Sequence, residues 1–82
     1  MSFVLRVKEP GQDDRAVPLH GERLTLGRSV HNELSYPEQK ALSRQHAVLT
    51  RENGGWAIED LESRNGTVLN GEPLEGKQLL RG

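Results

Sequence analysis

Hydrophobic residues recur in short alternating bursts along the chain, and turn-forming residues separate the bursts. In FVLRVK (Phe3 to Lys8), Phe3, Leu5 and Val7 alternate with Arg6 and Lys8, the period of two that marks a half-buried strand. The run EPGQDD breaks this pattern. AVPL (Ala16 to Leu19) and RLTLG (Arg23 to Gly27) flank HGE and read as a hairpin. Pro18 has no N–H to give a ladder, which places its strand at a sheet edge or a strand end. HAVLTR (His46 to Arg51) and WAIED (Trp56 to Asp60) flank ENGG and predict a second hairpin. TVL and EPL flank Asn70-Gly71, a two-residue turn signature whose residues both need positive φ. No 3.6-residue apolar period persists for ten residues. ELSYPEQKALSRQ comes closest, and Pro37 interrupts it. The pattern predicts an all-β sandwich or barrel.

Length and composition narrow this further. Eighty-two residues allow one domain, 1–82, with a thin core. A chain this short buries only about 60 % of the surface that its unfolded form exposes. The net charge of −1 gives no global attraction to nucleic acid or to an anionic membrane, so an anion site has to be local. The chain has no cysteine, which excludes disulfides and thiolate metal sites and fits a cytoplasmic setting. No apolar run approaches the roughly 20 residues that span a bilayer. The start MSFVLRVKE is interrupted by charge too early for a signal peptide.

Three predicted loops carry unusual polar content: GRSVHNE, QKALSRQ and ESRNGT. Sandwich loops gather at the two ends of the fold, so these three can share one surface. They would then offer Arg28, Ser43, Arg44, Arg64, Asn65 and Thr67 around one spot, with no acid in that set. Each guanidinium presents a planar fork of donors that matches phosphate oxygens. Asn65 has both a donor and an acceptor and can pair with an extended backbone. The combination suits a phosphate carried on a peptide.

The blocks LGRS, LSRQHAVL and SRNGTVLNG, in this order, closely resemble the forkhead-associated (FHA) domain over Leu24 to Gly71. The resemblance implies a β-sandwich of two antiparallel sheets that binds phosphothreonine peptides through loops at one end. It implies Arg28 and Ser43 as phosphate ligands, with Arg44 lining the same pocket. It implies Arg64, Asn65 and Thr67 on the peptide side, where Asn65 resembles the asparagine that holds the backbone beside the phosphothreonine. Gly27, His46 and Gly66 match architectural positions, and Asn70 and Gly71 match a structural turn. Family members usually continue beyond LLRG with a last hairpin that pairs with the first strand. The chain is therefore expected to be the N-terminal part of a longer protein, or to take the missing strands from a partner as a strand-swapped dimer.

Other readings of these residues are weaker. Ser43, His46 and Asp60 could be read as a hydrolase triad, but Ser43 has no G-x-S-x-G context and nearby arginines disfavour an imidazolium. A buried His46 bonded to loop backbone is the better expectation. His20 and His31 lack ligand spacing, so no metal and no cofactor is expected. Trp56 is expected in the core or at its rim. The expected partner is a protein phosphorylated by a serine/threonine kinase, or another segment of the same chain. The rival is a phosphate-independent assembly domain of the same fold.

Overall fold

The computed structural model describes residues 3–7, 15–69 and 72–80. It has nine strands: β1 (Phe3–Val7), β2 (Arg15–Leu19), β3 (Arg23–Gly27), β4 (Leu34–Ser35), β5 (Ala47–Glu52), β6 (Gly55–Asp60), β7 (Val68–Leu69), β8 (Glu72–Pro73) and β9 (Lys77–Leu80). Among the described residues there is no helix, and so none long and apolar enough to cross a membrane. The main sheet has the order β4-β3-β5-β6-β9, while β1-β2 and β7-β8 form two-stranded ribbons.

The core lies between these pieces, and alternation explains its membership. Leu24, Leu49 and Ile58 stand opposite one another in register across β3, β5 and β6, so their side chains form one row on one face. Leu19 from β2 and Leu74 after β8 pack onto that row, with Leu5 and Leu69 at the margin. Leu49 is fully buried, and Trp56 belongs to the same cluster. Val48 and Ala57 point to the opposite face and are buried as well. On that face Lys77 pairs with Glu52, and the Lys77 and Thr50 donors hold the Glu52 carboxyl below its ordinary range.

The β5–β6 hairpin closes through Asn53 (φ 52°) and Gly54 (φ 78°), with Glu52 opposite Gly55. Two successive positive-φ residues match the strand twist, which is why Asn-Gly serves there. β7 and β8 pair with Leu69 opposite Glu72. The expected turn residues Asn70 and Gly71 lie outside the described residues, as does EPGQDD.

Two expectations are corrected. AVPL and RLTLG do not form a hairpin: β2 pairs with β1, Leu19 opposite Phe3, whereas β3 joins β4 and β5. The HGE link, with Gly21 at φ 84°, instead carries the chain from one layer to the other. Leu19 and Leu24 can then both enter the core, which a simple reversal within one sheet would not require. Pro18 sits on β2, which has β1 as its one neighbour among the described strands. The second correction concerns direction. β3 and β4 run parallel, Leu26 opposite Leu34, so the pairing is not antiparallel throughout.

Candidate functional site

The site begins where β3 ends. Gly27 leaves no side chain between β3 and the β4–β5 loop, so the two backbones run in contact. The Arg28 N–H donates to the Ser43 carbonyl at 3.0 Å and the Ser29 N–H to the Arg44 carbonyl at 3.2 Å. His46 N–H closes the same seam on the Leu26 carbonyl at 2.8 Å. Buried Asn32 donates through Nδ2 to the carbonyls of Ser29 (2.8 Å) and Arg44 (2.7 Å), clamping the β3–β4 loop against its neighbour. These bonds place Arg28 beside Ser43 and Arg44.

The β6–β7 loop joins them through three further bonds. The Arg64 N–H donates to Ser43 Oγ at 2.9 Å. Asn65 Nδ2 donates to the Ala41 carbonyl at 2.7 Å. His46, buried at 4 % exposure, accepts the Ser43 N–H on Nδ1 at 3.1 Å and donates from Nε2 to the Gly66 carbonyl at 2.8 Å. That pattern assigns the neutral tautomer with its proton on Nε2. All three polar loops therefore meet at one end of the fold.

This geometry does not make a triad. The imidazole takes the Ser43 backbone amide rather than its hydroxyl, and its other nitrogen is spent on Gly66. Asp60 is engaged elsewhere: it accepts from the Ser63 N–H (3.1 Å), the Ser63 hydroxyl (2.5 Å) and the Thr67 hydroxyl (2.6 Å). Thr67, grouped by sequence with the peptide contacts, therefore braces the base of the β6–β7 loop from within. Burial by itself would raise the Asp60 carboxyl, but these donors from Ser63 and Thr67 outweigh it and hold it below its ordinary value.

The electrostatic character follows from what remains unpaired. Among the described residues, the guanidinium groups of Arg28, Arg44 and Arg64 have no carboxylate partner. Arg44, Arg64 and Asn65 are exposed, while Arg28 and Ser43 are half-buried. Ser43 Oγ accepts one bond and keeps its own proton to donate. Glu33, the acid closest in sequence to the β3–β4 loop tip, is turned to β3. It takes the Thr25 hydroxyl (2.6 Å) and N–H (2.9 Å), which pull its carboxyl down to about 2. Three free cations, a free hydroxyl donor and a carboxamide can together hold a dianionic oxyanion on an extended chain.

Sequence reasoning missed Asn32 and the bracing role of Asp60. The only signal for Asn32 was an asparagine in a turn-rich run, which is common in loops of every kind.

Two outcomes test this framework. His46→Ala leaves the Ser43 N–H and the Gly66 carbonyl without partners, at a cost of about 1–3 kcal/mol. Thermal melting should fall by several degrees or more, and unchanged melting would contradict the role of His46 as a tie between the loops. Asp60 has a lowered folded value, so its stabilisation is complete above the ordinary 3.8 and is lost as pH falls below it. In NMR, the Ser63 amide resonance should hold still from neutral pH down to about 5 and move only in stronger acid. Movement between neutral pH and that point would contradict the bond network.

Comparison with known proteins gives a consistent result. A family model described as FHA domain matches residues 24–82. An FHA domain-containing protein of Arabidopsis thaliana is 32 % identical over 69 residues, covering 84 % of this chain and 18 % of that protein. An ABC transporter ATP-binding/permease protein of Mycobacterium tuberculosis is 34 % identical over 76 residues, covering 93 % of this chain and 8 % of its own length. The chain thus spans less than a fifth of either relative. Among solved structures, the FHA domain of the CT664 protein from Chlamydia trachomatis superposes with a TM-score of 0.79 at 26 % identity, over 98 % of this chain and 81 % of that one. Mycobacterium tuberculosis EmbR in complex with a low-affinity phosphopeptide shares the fold, with a TM-score of 0.78 at 24 % identity over 98 % of this chain and 20 % of that one. A structure from work on phosphothreonine-dependent FHA domain interactions has a TM-score of 0.70 at 25 % identity, over 82 % of this chain and 68 % of that one.

Proposed function

Because this chain belongs to the forkhead-associated (FHA) domain family, we propose that its three-loop surface binds phosphothreonine peptides and docks it onto phosphorylated proteins. FHA domains are interaction modules, and we read this one as non-catalytic and cofactor-free. The observation that carries the reading is a set of arginines around Ser43 that no carboxylate pairs among the described residues, on loops held in place by bonds that do not use their guanidinium groups. Arg28 and the Ser43 hydroxyl take the phosphate oxygens, and Arg44 and Arg64 supply charge at the rim. Asn65 offers its acceptor and remaining amide proton to the peptide backbone. Thr67 contributes by holding the Asp60 end of the loop that presents Arg64 and Asn65.

Docking of this kind is conditional. Phosphorylation adds about −1.5 to −2 charge at pH 7 and three acceptor oxygens, which an unmodified threonine lacks. The partner is the product of a serine/threonine kinase, either another protein or a distant segment of the same one, met in the cytoplasm. The neighbour solved with a phosphopeptide and the phosphothreonine-dependent FHA interactions support this ligand class.

An oriented phosphopeptide library should select phosphothreonine over phosphoserine. Burial of the extra methyl would contribute about 0.8 kcal/mol, roughly a fourfold preference. Aspartate and glutamate mimics should bind far more weakly, because one charge and two oxygens leave arginines unmatched. Affinity should also fall below about pH 6, as the phosphate takes its second proton. Mimics that bind as well as phosphothreonine would favour a phosphate-independent assembly role.

A further inference from the structure

Asn65 is followed by Gly66, and the pair sits in an environment that permits a reaction at the binding surface itself. Asn65 is exposed and lies outside any strand. Gly66 has φ 78°, and a Cβ built on it would meet nothing within 4 Å, so its Cα faces open space. Among the described residues the Gly66 N–H has no hydrogen-bond partner, whereas the Gly66 carbonyl is fixed by His46. The Asn65 carboxamide is held by one exposed bond, to the Ala41 carbonyl. Breaking a bond of that kind slows a reaction by roughly tenfold at most.

We propose that Asn65 is a site of spontaneous deamidation that inactivates the binding surface, and that bound phosphopeptide guards it. The Gly66 nitrogen attacks Asn65 Cγ and loses its proton to solvent. The carboxamide C–N bond breaks, ammonia leaves, and a five-membered succinimide forms. Water then opens the ring to aspartate or isoaspartate, so the net change is amide plus water to acid plus ammonia, with no oxidation or reduction. The product puts a carboxylate on the loop surface that carries Arg28, Arg44 and Arg64, where its charge opposes that of the phosphate. It also replaces the donor that faced the Ala41 carbonyl with an acceptor, which removes one of the ties between the β4–β5 and β6–β7 loops.

The same molecule contains an internal comparison. Asn53-Gly54 is exposed too, but it is pinned between the paired residues Glu52 and Gly55, both in strands. Reaching the cyclising geometry there requires the hairpin end to open. Asn65 sits in no strand pair; its neighbours are held by single bonds, the Arg64 N–H to Ser43 Oγ and the Gly66 carbonyl to His46, and the Gly66 N–H that must react is in neither. The guarding half of the proposal rests on the phosphopeptide reading, because a peptide backbone bonded to the carboxamide would immobilise it and exclude water.

The test is incubation of the chain in warm, mildly alkaline buffer, alone or with saturating phosphothreonine peptide, followed by tryptic mass spectrometry. Trypsin separates the two sites into Glu52–Arg64 and Asn65–Lys77, and fragment ions place the mass gain within each, distinguishing Asn65 from Asn70 in the second peptide. Asn65 should convert several-fold faster than Asn53 in the free protein. Peptide should slow Asn65 without affecting Asn53, and affinity should fall in step with Asn65 conversion. Gly66→Ala, whose added methyl meets no neighbour but carries the strain of a positive φ, should slow conversion at Asn65 sharply in chains that circular dichroism shows to be folded. Asn65 converting no faster than Asn53, or Asn65→Asp binding peptide as tightly as the parent, would overturn the proposal. Undiminished conversion with peptide shown by calorimetry to be bound would overturn the guarding half. A peptide that fails to bind freshly purified protein would count against the phosphopeptide reading instead, while the free-protein rates still decide the chemistry.

Discussion

Arg28→Ala lowers phosphothreonine-peptide affinity by about tenfold to several hundredfold while leaving the melting temperature nearly unchanged; that is the expected result. The magnitude comes from the removal of a charge-assisted bond of about 1.5–3 kcal/mol, with a bidentate contact at the upper end. The fold survives because Arg28 contributes to the structure through its backbone, whose N–H on the Ser43 carbonyl is untouched by the substitution. No carboxylate among the described residues loses a partner. Arg28→Lys should recover part of the loss, since an ammonium keeps the charge and lacks the fork. Titration of a fluorescent phosphopeptide with each variant checks this, and wild-type affinity in Arg28→Ala would misplace the site.

Gly27→Ala should have the largest effect on stability. A Cβ at that position would lie 2.2 Å from the Arg44 carbonyl oxygen, 2.8 Å from the Arg44 carbonyl carbon and 2.9 Å from Asn32 Nδ2. The first two atoms are backbone and cannot swing aside as the end of a long side chain would. Moving the Arg44 carbonyl also breaks the bonds it accepts from the Ser29 N–H and from Asn32. Overpacking alone costs about 1–3 kcal/mol, and two strained or lost hydrogen bonds add about 0.5–1.5 kcal/mol each. For a domain of this size each kcal/mol lowers the melting temperature by about 4–8 °C. A fall of roughly 10 °C or more is therefore expected, together with loss of binding as Arg28 and Ser43 separate. Gly54→Ala makes a contrasting control. Its added methyl meets nothing within 4 Å, so it carries only the strain of a positive φ. Equal melting of Gly27→Ala and the parent would contradict the close approach of the two loops.

Strands were legible in the sequence where alternation was strong, and their partners were less so. The β5–β6 hairpin could be read because Asn53-Gly54 sets both the turn and the register. The link from Leu19 to Arg23 could not, because three polar residues serve equally as a reversal or as a crossing between layers. Only the burial of Leu19 against Leu24 decides between them. β4 has two residues and no period to detect. β9, KQLL, is mostly exposed and shows no alternation, though it pairs with β6 along its whole length. In the candidate site, the meeting of the loops that carry Arg28, Ser43 and Asn65 was legible because cations and small polar residues without acids stood in three separate stretches. Asn32 and Thr67 were not. Their roles depend on which carbonyl or carboxylate lies within reach, and that is set by tertiary contact rather than by spacing.

This surface is expected to distinguish a phosphorylated threonine from an unmodified one. Isothermal titration calorimetry tests it most directly, using two peptides of one sequence, selected by the library screen, that differ only in the phosphate. The phosphopeptide should bind with a favourable enthalpy and an affinity that weakens as salt rises, because the pairing arginines are partly screened. The unmodified peptide should give no measurable heat of binding. Equal affinity for the two peptides would contradict the account and leave the loops as a phosphate-independent assembly surface.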